Sequence, residues 1–286
     1  MDFNYLLTQF ILPSPCEEII YQDLHIRVKR DDLIHPVVSG NKWRKLEGHL
    51  LHFLNSNYTK ISSIGGAHSN HLHALAWTCN QLKIPCELYI YGHPENNMSP
   101  TMHDALLWNA KLNLISRSEK DTIGESMAKN NTYWIGEGGI GPSADLGIAK
   151  LLAEFPKDLD HKNNIIAIAY GSGTTINAIL NQTKHVKLAC LSPVKGKVHL
   201  DPSNRIIILE ESIQIAFGGF NEKLLAFISS FYDHTSILLD PIYTGRLMMA
   251  FTEFLQYYPQ TGDIYFLHSG GLQSWIAYNK RHASKA

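Results

Sequence analysis

Ile165-Ile166-Ala167-Ile168-Ala169-Tyr170-Gly171-Ser172-Gly173-Thr174-Thr175-Ile176-Asn177-Ala178-Ile179-Leu180 decides the fold: an apolar run, a glycine turn, and two threonines opening a helical pattern. Such a unit brings the first N–H groups of a helix, which have no intrahelical partner, to the end of a buried strand. The helix dipole favours an anion there. Gly171 and Gly173 let the backbone approach a ligand closely, and Ser172, Thr174 and Thr175 add hydroxyl donors. The stretch reads as a seat for a phosphate.

Outward from this unit the pattern repeats. Short β-rich runs at 24–29, 61–64, 87–91, 112–115, 133–136, 165–170, 186–191, 205–209 and 264–267 alternate with helical patterns at 42–54, 69–82, 102–109, 144–154, 174–181, 222–231, 245–258 and 272–280. The alternation predicts an α/β fold with parallel sheets. Residues 94–100 read as a loop and 158–164 as a connection between units. At 286 residues the chain can form one large domain or two smaller ones. Lys plus Arg is 25 and Asp plus Glu is 26, a balance that argues against nucleic-acid binding by phosphate neutralisation. No apolar run approaches a membrane span, and Asp2 stands where a signal peptide needs basic charge, so the expectation is a cytoplasmic, soluble protein. The four cysteines contain no C-x-x-C pair and read as reduced core residues.

Three other strand–helix junctions carry polar residues, where ligands bind in open α/β sheets. Ser39-Gly40-Asn41 resembles a helix entry and puts Lys42 in the first turn, at the positive end of the dipole. A lysine there is either incidental and solvated, which spacing alone favours, or present because a lowered amine pKa is useful. In Ile64-Gly65-Gly66-Ala67-His68-Ser69-Asn70-His71, capping alone explains Ser69 or Asn70, while the functional reading aims both at a ligand. The third junction joins Asp240-Pro241-Ile242-Tyr243-Thr244-Gly245 with His268-Ser269-Gly270-Gly271. Fifteen histidines raise the question of a metal, but His71 and His73 share no helix face and no H-E-x-x-H exists, so none is expected. Gly138-Gly139-Ile140-Gly141 is not G-x-G-x-x-G, and no P-loop pattern occurs.

A phosphate seat together with a helix-start lysine suggests pyridoxal 5'-phosphate, whose aldehyde binds a lysine amine. At this point the chain resembles a known family. Val28-Lys29-Arg30-Asp31-Asp32 followed by Gly40-Asn41-Lys42-Trp43-Arg44-Lys45-Leu46 is similar to a motif of the 1-aminocyclopropane-1-carboxylate (ACC) deaminase and D-cysteine desulfhydrase family. The likeness continues in order through Ser69-Asn70-His71, Glu137-Gly138-Gly139, Gly171 to Thr175, Asp240 to Gly245 and His268 to Gly271.

The resemblance implies a tryptophan synthase β-like fold (fold type II): two open parallel-sheet domains with helices on both faces. They would be a smaller one at 41–150 and a larger one at 1–40 and 151–286, with the cofactor in the cleft between. It implies Lys42 as the lysine bound to the cofactor aldehyde and Asn70 as partner of its phenolic oxygen. Gly171, Ser172, Gly173, Thr174 and Thr175 would be its phosphate cup, with Ser269 also on the cofactor. It implies Ser69, Asn70, His71, Tyr243 and Thr244 as residues facing the substrate, Lys42, Ser69 and Tyr243 as catalytic, and a homodimer as the assembly.

The chain departs from the pattern in being shorter than typical members and in carrying Ala67-His68 where many have Ile-Gln. ACC deaminases of the family carry Glu directly after the motif tyrosine and Leu between His and Gly-Gly; here these are Thr244 and Ser269. A neutral hydroxyl facing a pyridine nitrogen favours its protonation much less than a carboxylate does, and the milder electron sink suits elimination of a good leaving group. The expectation is therefore a D-cysteine desulfhydrase-like lyase, with ACC deamination as the alternative. A carrier of cofactor or phosphate compound without turnover is the alternative of another class.

Overall fold

The computed structural model describes residues 2–92, 98–127, 131–193, 200, 203–213, 215–216, 219–258 and 261–275. In chain order the elements are α1 (Phe3–Leu7), β1 (Cys16–Tyr21), β2 (Leu24–Lys29), α2 (Asn41–Leu54), β3 (Lys60–Gly66), α3 (Asn70–Leu82), β4 (Cys86–Tyr91), α4 (Pro100–Leu107) and β5 (Lys111–Ile115). They continue with α5 (Lys120–Met127), β6 (Thr132–Ile135), α6 (Ala144–Ala153), β7 (Ile165–Ala169), α7 (Thr174–Gln182), β8 (Lys187–Leu191), β9 (Ile206–Ile208), α8 (Glu222–Thr235), α9 (Thr244–Tyr257) and β10 (Ile264–Leu267). The α/β class follows as the alternation predicts. The expected helix at 272–280 lies mostly outside the described residues.

The chain forms two compact units, one of residues 1–11 and 34–150, the other of 12–33 and 151–286. Residues 2–11 and 34–40 thus belong to the first unit, where the sequence reading groups them with the larger one. Phe10 stacks on Trp43 at 4.0 Å, His35 lies 4.4 Å from the Trp77 ring, and the Ile11 N–H donates to the Ile34 carbonyl at 2.9 Å. Burying these large rings outweighs the sequence proximity of the segments to β1 and β2.

The first unit holds a parallel sheet of order β5-β4-β3-β6. Parallel neighbours need crossover connections, and α3, α4 and their loops supply them. In α2, Trp43, Leu46, Leu50 and Phe53 recur at helical spacing and are buried; each such side chain contributes roughly 1.5–3 kcal/mol on leaving water. Gly40 caps α2 at φ 62°, ψ −144°, a conformation open to glycine alone. Two further glycines set how closely α2 and α6 approach. A methyl on Gly147 would fall 2.6 Å from the Arg44 carbonyl carbon, and one on Gly48 would fall 3.0 Å from that of Ser143.

The second unit holds a sheet of order β1-β2-β10-β7-β8-β9, parallel throughout except that β1 runs antiparallel to β2. All five residues of β7 are buried, as an apolar run covered on both faces requires. Ala167 and Ala169 join one core cluster with Leu247, Met248 and Phe251 of α9, their small side chains admitting the helix. β1 escaped the sequence reading because it is an edge strand, with Cys16, Glu18 and Ile20 exposed in alternation.

Candidate active site

On the second unit, β7 and β10 are parallel neighbours, with Ile264 opposite Ile165 and Phe266 opposite Ala167. The loops that follow their carboxyl ends, at 170–173 and 268–271, therefore emerge side by side. Gly173 caps α7 at φ 77°, with no side chain accepting from the first turn. A methyl on Gly171 would meet nothing within 4 Å, so open space lies before the first-turn donors. Ser172 Oγ and Thr174 Oγ1 stand 3.0 Å apart. An uncapped helix start with hydroxyls beside it and open space before it fits a phosphate group.

The third junction joins the same region. The Asp240 carboxylate is fully buried and accepts from Ile242 N (2.9 Å) and Tyr243 N (2.8 Å) on Oδ1, and from Thr244 N (2.8 Å) and Thr244 Oγ1 (2.6 Å) on Oδ2. It also lies 3.1 Å from where a Gly271 methyl would stand, which ties this turn to the 268–271 loop. His268 Nε2 donates to the Leu238 carbonyl at 2.8 Å, a second tie. Burial, then the Asp240 charge, pushes the Tyr243 phenol up to about 12, so at neutral pH it is an O–H donor.

One expected substrate contact is corrected here. Thr244 is fully buried, and its hydroxyl donates to Asp240 Oδ2 while accepting from Asp240 N at 2.9 Å. Its single proton is spent inside the turn. Thr244 therefore holds the loop that carries Tyr243, and faces no substrate. Ser269 remains half-buried at the end of β10.

On the first unit, Lys42 sits in the first turn of α2, half-buried, with Nζ donating to Asn41 Oδ1 at 2.6 Å. Ser69 caps α3, its Oγ accepting from Leu72 N at 3.3 Å, so the capping reading is realised. A methyl on Gly65 would fall 2.9 Å from that Oγ, which is why the strand ends in glycine. Asn70 opens α3 and is half-buried. His71 is corrected. It is one residue further round the helix and only 1% exposed, with Nε2 3.0 Å from Ser63 Oγ on β3. It faces the interior of its unit, not a substrate.

Two buried charged residues beside these turns were not singled out from the sequence. Lys45, one turn after Lys42, is buried, and its Nζ donates to the Gly138 carbonyl at 2.9 Å. Burial, then the Lys42 charge, lowers its ammonium to about 7. The i, i+3 spacing of the two lysines was the available signal. The other is Asp240, whose position before Pro241 and Tyr243 marks an Asx turn. Glu137, before Gly138-Gly139, is held by Lys120 Nζ at 2.6 Å and by the Tyr91 hydroxyl.

The Lys29-Arg30-Asp31-Asp32 run is structural. Buried Lys29 Nζ bonds Glu154 Oε2 and the Ser14 carbonyl, each at 2.6 Å. Arg30 forks onto Asp32 at 3.0 and 2.9 Å and reaches Glu17 at 2.8 Å. Among the described residues no group of three His, Cys, Asp or Glu is arranged to hold a metal, and no helix is long and apolar enough to cross a membrane.

Two parallel-sheet units with helix starts at the sheets' carboxyl ends define the class: the fold is that of the tryptophan synthase β type. The chain covers 98% of itself and 98% of a solved ACC deaminase homologue at a TM-score of 0.76 and 20% identity. Against a pyridoxal 5'-phosphate-dependent aspartate racemase it covers 90% of each chain at a TM-score of 0.64 and 15% identity. These likenesses concern the fold. In sequence it is similar to the bifunctional D-cysteine desulfhydrase/1-aminocyclopropane-1-carboxylate deaminase of Arabidopsis thaliana, 25% identical over 86% of this chain and 72% of the relative. It is likewise similar to a protein of Pyrococcus horikoshii named as an ACC deaminase, 24% identical over 94% of this chain and 90% of the relative. No family model matches the chain. The resemblance read from the motifs extends along nearly the whole length.

Proposed function

We propose that this chain is a pyridoxal-phosphate-dependent lyase that deaminates a small amino acid, in the manner of D-cysteine desulfhydrase. The observation that carries this reading is the uncapped start of α7 behind Gly171, with open space before it, in a chain that also presents a first-turn lysine at Lys42. In the proposal Gly171 to Thr175 would hold the cofactor's phosphate, Lys42 its aldehyde, Asn70 its phenolic oxygen and Ser269 its ring nitrogen. When bound, the cofactor draws electrons from a bond broken at Cα.

The chain's own residues supply the rest. Lys42 would take the Cα proton of D-cysteine on its Nζ. The Cβ–S bond then breaks, sulfur leaves as HS⁻, and water hydrolyses the resulting enamine to pyruvate and ammonia. Tyr243, held protonated by its surroundings, is placed in the reading to donate a hydrogen bond to the departing HS⁻ and so stabilise its charge. Ser69 binds the substrate carboxylate region. The preference for D-cysteine over ACC rests on two hydroxyl residues, Thr244 and Ser269, standing where the family's ACC deaminases carry Glu and Leu. With Thr244 turned into the Asp240 turn, Ser269 alone is left beside the ring nitrogen in this reading.

Purified chain supplied with pyridoxal phosphate should develop a visible absorption band that shifts on adding D-cysteine, with pyruvate released. Lys42→Ala should lose the band and keep its fold. 2-Oxobutanoate from ACC with no pyruvate from D-cysteine moves the assignment to the ACC deaminase side. A chain that stays colourless refutes both.

A further inference from the structure

The Glu137-Gly138-Gly139 turn is a motif element to which the proposed reaction gives no role. It lies between α2 and α3, the helices whose first turns carry Lys42 and Asn70. A methyl on Gly139 would fall 3.1 Å from Lys45 Cδ on α2 and 3.4 Å from His71 Nδ1 on α3, so the turn fits closely between them. Gly138 and Gly139 are both left-handed, at φ 68° and 81°, as consecutive glycines allow.

With no side chains at these two positions, the turn is held by its carbonyls, and both go to α2. Lys45 Nζ donates to the Gly138 carbonyl at 2.9 Å, and His49 Nε2 lies 3.2 Å from that of Gly139. Lys42, Lys45 and His49 are spaced i, i+3 and i+7 and fall on one face of α2. Glu137 is engaged by Lys120 and Tyr91, so the turn is fastened on a second side.

His49 is held in one form. It is 1% exposed, and burial lowers it to about 4, so at neutral pH it carries a single N–H. A carbonyl can only accept, which places that proton on Nε2, facing Gly139. Nδ1 is then an acceptor, and the Tyr133 hydroxyl, 2.8 Å away, donates to it. A methyl on Gly141 would fall 2.7 Å from His49 Cε1, so the ring also packs against that backbone. Tyr133 and Gly141 thus aim one donor at one carbonyl.

We propose that the 137–139 turn is a spacer that sets how far Lys42 on α2 stands from Ser69 and Asn70 on α3, and that His49, by donating to the Gly139 carbonyl, is the positioning residue that keeps the spacer in place. His49 acts through the turn and touches no substrate. The use of the spacing rests on reading Lys42 and Asn70 as cofactor contacts, whereas the clamp itself does not.

Two variants separate this role from packing. His49→Gln keeps an amide N–H at the reach of Nε2, and His49→Asn keeps an acceptor at the place of Nδ1 but falls short of Gly139. Both remove the packed ring, so a purely structural role would cost them alike. In hydrogen–deuterium exchange of the full chain, segment 136–143 should exchange about 10-fold faster in His49→Asn and within about 2-fold of wild type in His49→Gln. With pyridoxal phosphate and D-cysteine, His49→Asn should lower kcat by about 10-fold or more, change KM less and keep the visible band, and His49→Gln should restore kcat. Equal exchange of 136–143 in the two variants, or a loss of rate in His49→Gln as large as in His49→Asn, overturns the proposal. If the wild-type chain itself stays colourless, the cofactor reading fails and the exchange result alone decides the clamp.

Discussion

Gly147→Ala tests how α6 is set against α2, the helix that carries Lys42. The added methyl would stand 2.6 Å from the Arg44 carbonyl carbon and closer still to its oxygen, and Cβ atoms do not approach carbons within about 3.4 Å without strain. The two backbones must part by about 1.5 Å to clear the oxygen, and neither side offers a flexible side chain that could yield instead. Parting them loosens Ala144, Ile148 and Leu151, all buried. Forced backbone shifts of this kind cost about 1–3 kcal/mol, occasionally more. Alanine's better helix propensity returns about 1 kcal/mol. Because the overlap is backbone against backbone, the cost falls at the upper end of that range, and a net loss of about 2 kcal/mol is expected.

At a urea slope of about 2 kcal/mol per molar, the unfolding midpoint falls by about 1 M. Tryptophan fluorescence is the suitable probe, because Trp43, Trp77, Trp108 and Trp134 all lie in the first unit. A midpoint equal to or above wild type would mean that the two helix backbones are not in contact, and the account of α2's placement would fall with it.

Glu154→Ala leaves buried Lys29 without its counter-charge and should cost about 3–5 kcal/mol in urea unfolding; adding Lys29→Met should recover most of it, and no recovery would show that the loss does not come from an unpaired Lys29. Tyr243→Phe should lower kcat by about 100-fold or more with the visible band retained, and an equal loss of band and rate would make the tyrosine structural. His49 is held at about 4, mainly by burial and then by Lys45 and His52 against the opposing Gly139 carbonyl. Between about pH 6.5 and 4 the unfolded histidine takes a proton that the folded one refuses, so stability falls as pH drops through that window, by on the order of 3 kcal/mol. His49→Gln should flatten the stability profile below pH 6.5, and an unchanged slope would place the acid sensitivity elsewhere.

Strands and helices with strong periodicity were legible because their cores are local patterns: β7 and α7 lie where the apolar run, glycines and threonines put them. The helix-start position of Lys42 and the cap at Ser69 were legible for the same reason. The direction in which a side chain turns was not. Thr244 and His71 occupy motif positions, but a buried acid four residues earlier captures one and a strand serine captures the other. Such partners come from backbone geometry that no spacing rule encodes. β1 stayed hidden because half of this edge strand is exposed and its exposed face mixes Cys16, Glu18 and Ile20 without an apolar alternation. The depressed charge on Lys45 depends on the Gly138 turn folding over it from 93 residues away.

The placement of β10 between β2 and β7 has a bearing on synthesis at the ribosome. The first unit's residues have all been translated by position 150, so it can consolidate while the second is still emerging. The hairpin of residues 16–29 is made early, yet its inner edge pairs with Ile264–Leu267. Until residues 264–267 are read, that hairpin and the β7–β9 strands are separate half-sheets, each with an open border. The nascent chain must guard both borders until then.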